Sequence, residues 1–121
     1  MEILKGKIVS GIGVAGNILK DYLPIFKEKL KTVYFQGTLN LELEEEFEMP
    51  ENSEYIEPFT KEDGTKRGGL RFARAKIKNL PVLIVKPDLT KHPKNIVEIM
   101  APINIKKQYG LKDGDYLEVH I

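Results

Sequence analysis

Along most of this chain apolar and polar residues alternate with the two-residue period of half-buried strands, and a helical period surfaces only twice. Residues 5–10 read as a first strand, which leads into Gly11-Ile12-Gly13-Val14-Ala15-Gly16-Asn17, three glycines in seven residues. Leu23, Phe26 and Leu30 recur at spacings of three and four and predict a helix over about 22–30, with Asp21 as its cap and Pro24 tolerated in the first turn. Residues 33–36 then lead into a strand that contains Gly37-Thr38-Leu39-Asn40-Leu41 and runs to about residue 43. A polar loop with Pro50 follows over 44–53, then a short strand over 55–59 and a hairpin turn at Glu62-Asp63-Gly64-Thr65.

The second half repeats the alternation. Residues 66–78 read as a strand weakened at Gly68-Gly69. Residues 80–85 form a continuous apolar run, hence a strand buried on both faces. A loop over 88–95 carries Thr90 and His92, and the strand over 96–101 is apolar on both faces except for Glu98. Pro102 opens a helix over about 103–109 that Gly110 closes, and Lys112-Asp113-Gly114-Asp115 turns into a last strand over 116–121. Six or seven strands, two short helices and many non-local pairings predict a mainly β, closed barrel rather than an alternating βαβ sheet.

Length and charge narrow the partners. At 121 residues one domain is expected, large enough for a core without staples. Cysteine is absent, which excludes disulfides and thiolate metal sites and fits a reducing, cytoplasmic setting. No run reaches the roughly 18 apolar residues of a membrane span, and the first five residues are too short in apolar length for a secretory signal. With 19 basic and 18 acidic residues there is no electrostatic footprint for nucleic acid. The acidic block over 42–48 reads as a solvated strand end and loop.

The candidate chemistry is sparse. Thr38 and Asn40 are two apart, so on a strand they leave the same face, and both offer neutral oxygens that accept hydrogen bonds or touch a hard cation. The glycine loop allows close approach of a phosphate or flat base, with a flexible turn as the plainer reading, and it matches neither a Walker loop nor GxGxxG. Glu98, a lone acid in an apolar strand, must be paired, protonated or solvent-facing. His92 can reach a ligand from its loop, whereas His120 reads as an exposed strand residue. Two histidines and no cysteine argue against a zinc hydrolase. Lys66 and Arg67 read as exposed, solubilising residues.

Four segments in order, Gly-Lys-Ile-Val-Ser-Gly-Ile-Gly at 6–13, Gly-Thr-Leu-Asn-Leu at 37–41, Thr90-Lys91-His92, and Val97-Glu98-Ile99-Met100-Ala101-Pro102 leading to Leu111-Lys112-Asp113-Gly114-Asp115, resemble the archaeal CTP-dependent riboflavin kinase family over nearly the whole chain. The resemblance implies a six-stranded cradle-loop β-barrel with two short helices; a monomer is expected. It also implies transfer of the γ-phosphoryl of CTP to the 5′-hydroxyl of riboflavin, giving FMN and CDP. Carried over by position, it implies Mg²⁺ at Thr38 and Asn40. The nucleotide falls against Ile12, Gly13, Val14, Ala15, Gly16 and Asn17 and against Ile103, Asn104, Ile105 and Lys106. The flavin falls against Thr90 and Glu98, with Glu98 also the candidate catalytic residue. Two departures stand out: Val14-Ala15-Gly16-Asn17 lacks the acid of the family's glycine loop, and Thr65-Lys66-Arg67-Gly68-Gly69 lacks an aromatic. A non-catalytic barrel that binds flavin or nucleotide as a sensor or regulator is the alternative.

Overall fold

A computed structural model describes residues 2–10, 18–90 and 92–121. Its strands are β1 (Ile3–Val9), β2 (Leu39–Leu43), β3 (Glu54–Ile56), β4 (Phe59–Thr60), β5 (Lys66–Arg67), β6 (Leu70–Ile77), β7 (Leu80–Pro87), β8 (Ile96–Met100) and β9 (Tyr116–His120), and its α-helices are α1 (Leu23–Leu30) and α2 (Ile105–Tyr109). Six strands pair antiparallel in the order β6-β7-β8-β2-β1-β9, and β9 meets β6 again through Lys76 and His120, so the sheet closes into a barrel. β3 lies outside the ring on the first half of β6, and β4 with β5 forms a separate hairpin.

Residues opposite one another in an antiparallel pair share a face, so the register sorts every strand into an inside and an outside. Ile8, Leu41 and Val97 line up across β1, β2 and β8, as do Leu39, Ile99 and Ile84 across β2, β8 and β7. These side chains, with Ile77, Leu117 and Val119, form the barrel core. The opposite face of β6, β7 and β8 presents Leu70, Phe72, Leu83, Val85 and Met100, and α1 with the segments on either side of it covers it through Leu19, Tyr22, Phe26 and Tyr34. β7 is therefore apolar at every buried position because both of its faces are covered. Phe26 is fully buried between Phe72 and Tyr34, with ring centroids 5.2 and 5.7 Å away in edge-to-face geometry.

Local chemistry explains the joints. A 3₁₀ turn, Lys20–Tyr22, precedes α1, and the Tyr22 hydroxyl donates to the Gly68 carbonyl. Asp21 does not cap the helix as expected; it accepts from Arg67 Nε at 2.7 Å and sits 3.2 Å from Lys61 Nζ, tying the β4–β5 hairpin to the helix start. Arg67 is thus half-buried and paired rather than free, while Lys66 is exposed as read. The expected strand over 66–78 is two strands, β5 and β6, parted at Gly68-Gly69. β6 and β7 join through Lys78 and Asn79, both at positive φ, the backbone of a two-residue hairpin turn. Pro102 lies before α2 rather than at its start; Asn104 is the N-cap, its Oδ1 accepting from the Lys107 N–H, and Gly110 ends the helix at φ 64°.

Candidate functional site

β2 and β8 run side by side with Asn40 opposite Glu98. Because Leu39, Leu41, Val97 and Ile99 point into the barrel, Thr38, Asn40 and Glu98 stand together on its outer face. Glu98 is 3% exposed, and both of its oxygens are engaged: Oε1 lies 3.0 Å from His92 Nε2, and Oε2 accepts from the Thr38 hydroxyl at 3.4 Å. Burial pushes the Glu98 carboxyl above its usual range, opposed by the imidazole of His92 and the hydroxyl of Thr38. The loop that brings His92 back to β8 is held by its own N–H, which donates to Thr90 Oγ1 at 3.3 Å.

Asn40 carries an anomaly. Its Oδ1 is buried and has no hydrogen-bond partner among the described residues. An acceptor left so costs about 1–3 kcal/mol, and natural structures keep few of them unless something else meets the oxygen. Among the described residues no group of three or more histidine, cysteine or acidic side chains is placed to hold a metal ion. The oxygens of Thr38 and Asn40 nonetheless suit Mg²⁺, which takes oxygen ligands and often keeps waters and substrate phosphates as the remainder. The buried amide oxygen, without a partner among the described residues, is what makes that donor set fit.

Two cavities flank this cluster. One is lined by Thr90, His92 and Glu98 together with Phe47, Met49 and Val85. The other is lined by Thr38, Phe35, Gly37 and the segment Ile103, Asn104, Ile105 and Lys106. The Thr38–Glu98 hydrogen bond thus joins a wall of one cavity to a wall of the other. Of the sequence candidates, Thr90 and Glu98 share the first cavity, and Thr38 shares the second with residues 103–106. The candidates Ile12 to Asn17 lie outside the described residues.

The side chains of the 103–106 segment are largely occupied. Ile105 is in the barrel core, Asn104 Oδ1 caps α2, and Lys106 Nζ bonds Asp113 at 2.7 Å. Asp113 also accepts from the Ser10 hydroxyl, so it links this segment to the end of β1, where the glycine loop begins. Lys106, then Ser10, hold the Asp113 carboxyl below its usual range. Sequence reasoning gave His92 only a loose ligand role, and the structure makes it the partner of Glu98. It gives Phe35 no role and places Asp113 only in a turn. Nothing local marks either one, since their neighbours come from distant segments.

The outer face of the barrel thus joins a buried carboxylate–imidazole pair to neutral oxygens between two cavities. A family model for CTP-dependent riboflavin kinase, described as a domain of unknown function, DUF120, matches residues 8–121. The chain is 38% identical to a riboflavin kinase of Pyrococcus furiosus over 97% of its own length and 57% of the relative's. It is 34% identical to one of Methanocella arvoryzae, covering 97% of this chain and 56% of the relative. Against one of Staphylothermus marinus it is 33% identical, covering 98% and 90%. The chain belongs to the archaeal CTP-dependent riboflavin kinase family, and it spans about half the length of most of the curated relatives it matches. Among the described residues no helix is long and apolar enough to cross a membrane.

Proposed function

We propose that this chain is a riboflavin kinase that transfers the γ-phosphoryl group of CTP to the riboflavin 5′-hydroxyl, giving FMN and CDP. The observation that carries the reading is the buried Asn40 Oδ1, without a partner among the described residues, beside Thr38 and opposite Glu98, in a chain of this family. Thr38 and Asn40 hold Mg²⁺, which when bound supplies positive charge against the phosphate oxygens. Thr90 and Glu98 face the flavin, and the backbone of residues 103–106 faces the nucleotide; residues 12–17 are carried over from the family as further nucleotide contacts.

Phosphoryl transfer needs chiefly positioning and charge stabilisation, so a large acid–base apparatus is not required. Glu98 contributes an acceptor of fixed direction, because His92 and Thr38 hold both of its oxygens. A substrate hydroxyl that donates to it is aimed rather than merely bound. His92 acts through Glu98 and is a positioning residue. The small-molecule partners of this reading are riboflavin and CTP.

Purified protein with riboflavin and Mg²⁺ is expected to form FMN with CTP and far less with ATP, read by chromatography of the flavins. Thr38→Ala is expected to lower turnover at limiting Mg²⁺ while the far-ultraviolet dichroism is unchanged. Absence of FMN with either nucleotide rejects the kinase. Flavin bound tightly without turnover favours the sensor, and wild-type rates from Thr38→Ala at limiting Mg²⁺ reject the metal assignment.

A further inference from the structure

Phe35 is a large apolar residue that the fold leaves 43% exposed, although it lies beside the site rather than on a remote surface. Its backbone is not loose: the Phe35 N–H donates to the Ala101 carbonyl at 2.8 Å, tying it to the end of β8. Two residues on, Gly37 has φ 136°, and a Cβ built there would lie 3.3 Å from Phe35 Cε2. A side chain at 37 would therefore crowd the ring as well as strain the backbone. Glycine lets the ring rest against the main chain with its remaining surface open.

The residues that line this cavity are chemically mixed. Thr38 contributes a hydroxyl and Phe35 with Ile103 apolar surface, while Asn104 Oδ1 and Lys106 Nζ are already bonded. A nucleoside triphosphate presents the same two kinds of surface, a polyphosphate and a flat π-system. Thr90 and Glu98 line the other cavity, so the flavin does not compete for this ring. We propose that Phe35 is the stacking platform for the nucleobase of the nucleoside triphosphate, with the phosphates directed toward Thr38. The assignment rests on the kinase reading above.

Aromatic stacking on a base is tolerant of which base it is, so Phe35 supplies affinity and placement rather than discrimination. Phe35→Ala is expected to raise the KM for CTP about thirtyfold, the middle of what loss of one base–aromatic stack produces. It leaves kcat and the KM for riboflavin unchanged, and Phe35→Trp restores the KM for CTP. The chain contains no tryptophan, so Phe35→Trp is also a single reporter. Its emission is expected to be quenched by CDP with Mg²⁺ in the absence of flavin, saturating where CDP inhibits the wild type. An unchanged KM for CTP in Phe35→Ala, or emission indifferent to CDP, overturns the proposal. If the wild type makes no FMN, the kinase reading fails by itself and the titration still decides: quenching by CDP sustains the aromatic site, and silence removes it.

Discussion

Replacing Asn40 with leucine separates what this residue does for the fold from what it does for a ligand. The two side chains are close in size, and leucine suits a strand position better than asparagine. The substitution deletes a buried acceptor that has no partner among the described residues. The cost of such an acceptor is about 1–3 kcal/mol; because Asn40 as a whole is only half-buried, the lower part, about 1–2 kcal/mol, applies. Unfolding entropy for a chain of this length is about 0.25 kcal/mol/K, so the gain corresponds to a Tm rise of roughly 4–8 °C. Thermal and urea unfolding with a chelator present measure it. Adding Mg²⁺ and CDP should reverse the order, since ligand at about 100 times Kd stabilises the wild type by about 2.7 kcal/mol and the variant lacks the contact. A variant less stable than wild type under chelator would show that the oxygen is paired in solution. Equal stabilisation of both proteins by Mg²⁺ and CDP would remove Asn40 from the site.

The Asp21 cluster predicts a pH dependence. Arg67 first, then Lys61, hold the Asp21 carboxyl below its ordinary value of 3.8. A carboxyl lowered by folding stabilises above its unfolded pKa, and that contribution is lost as pH falls through the folded value. Asp21→Asn should therefore unfold at lower urea than wild type at neutral pH, with the gap closing below about pH 4; a gap constant with pH would contradict the pairing. Gly69→Ala should destabilise by about 1–2 kcal/mol, because the new Cβ would fall 1.9 Å from Tyr55 Oη and 2.7 Å from Asp88 Oδ2, breaking the 2.5 Å bond between those groups. Tyr55→Phe in the same chain should recover part of the loss, and strict additivity in urea midpoints would refute the clash.

What the sequence disclosed followed the range of the interactions. The alternation of Thr38, Leu39, Asn40 and Leu41 placed two oxygens on one face, since a strand's period is a local property. The apolar run in β7 was legible for the same reason, and so was the Asp63-Gly64 turn. The Lys78–Asn79 turn was not, because neither residue advertises positive φ as glycine does. Asp21 looked like a cap because capping is decided by neighbours, whereas its partner Arg67 lies 46 residues away. The meeting of Glu98 with Asn40, Thr38 and His92 depends on register and loop return, which no window of sequence contains. Family resemblance singled out Thr38, Asn40 and Glu98 as candidates and left His92 without a role.

The barrel closes between β6 and β9 through a single residue pair, Lys76 with His120, against eight pairs between β6 and β7 and five between β1 and β9. The first half of the same β6 edge is given over to β3. Such a thin seam is where native-state amide exchange begins, through local opening that leaves the other ladders intact. In the ring order the β8–β2 junction, which carries Glu98 and Asn40, is three junctions from the seam in either direction. The cylinder can thus breathe at its clasp while the wall diametrically across from it keeps its register.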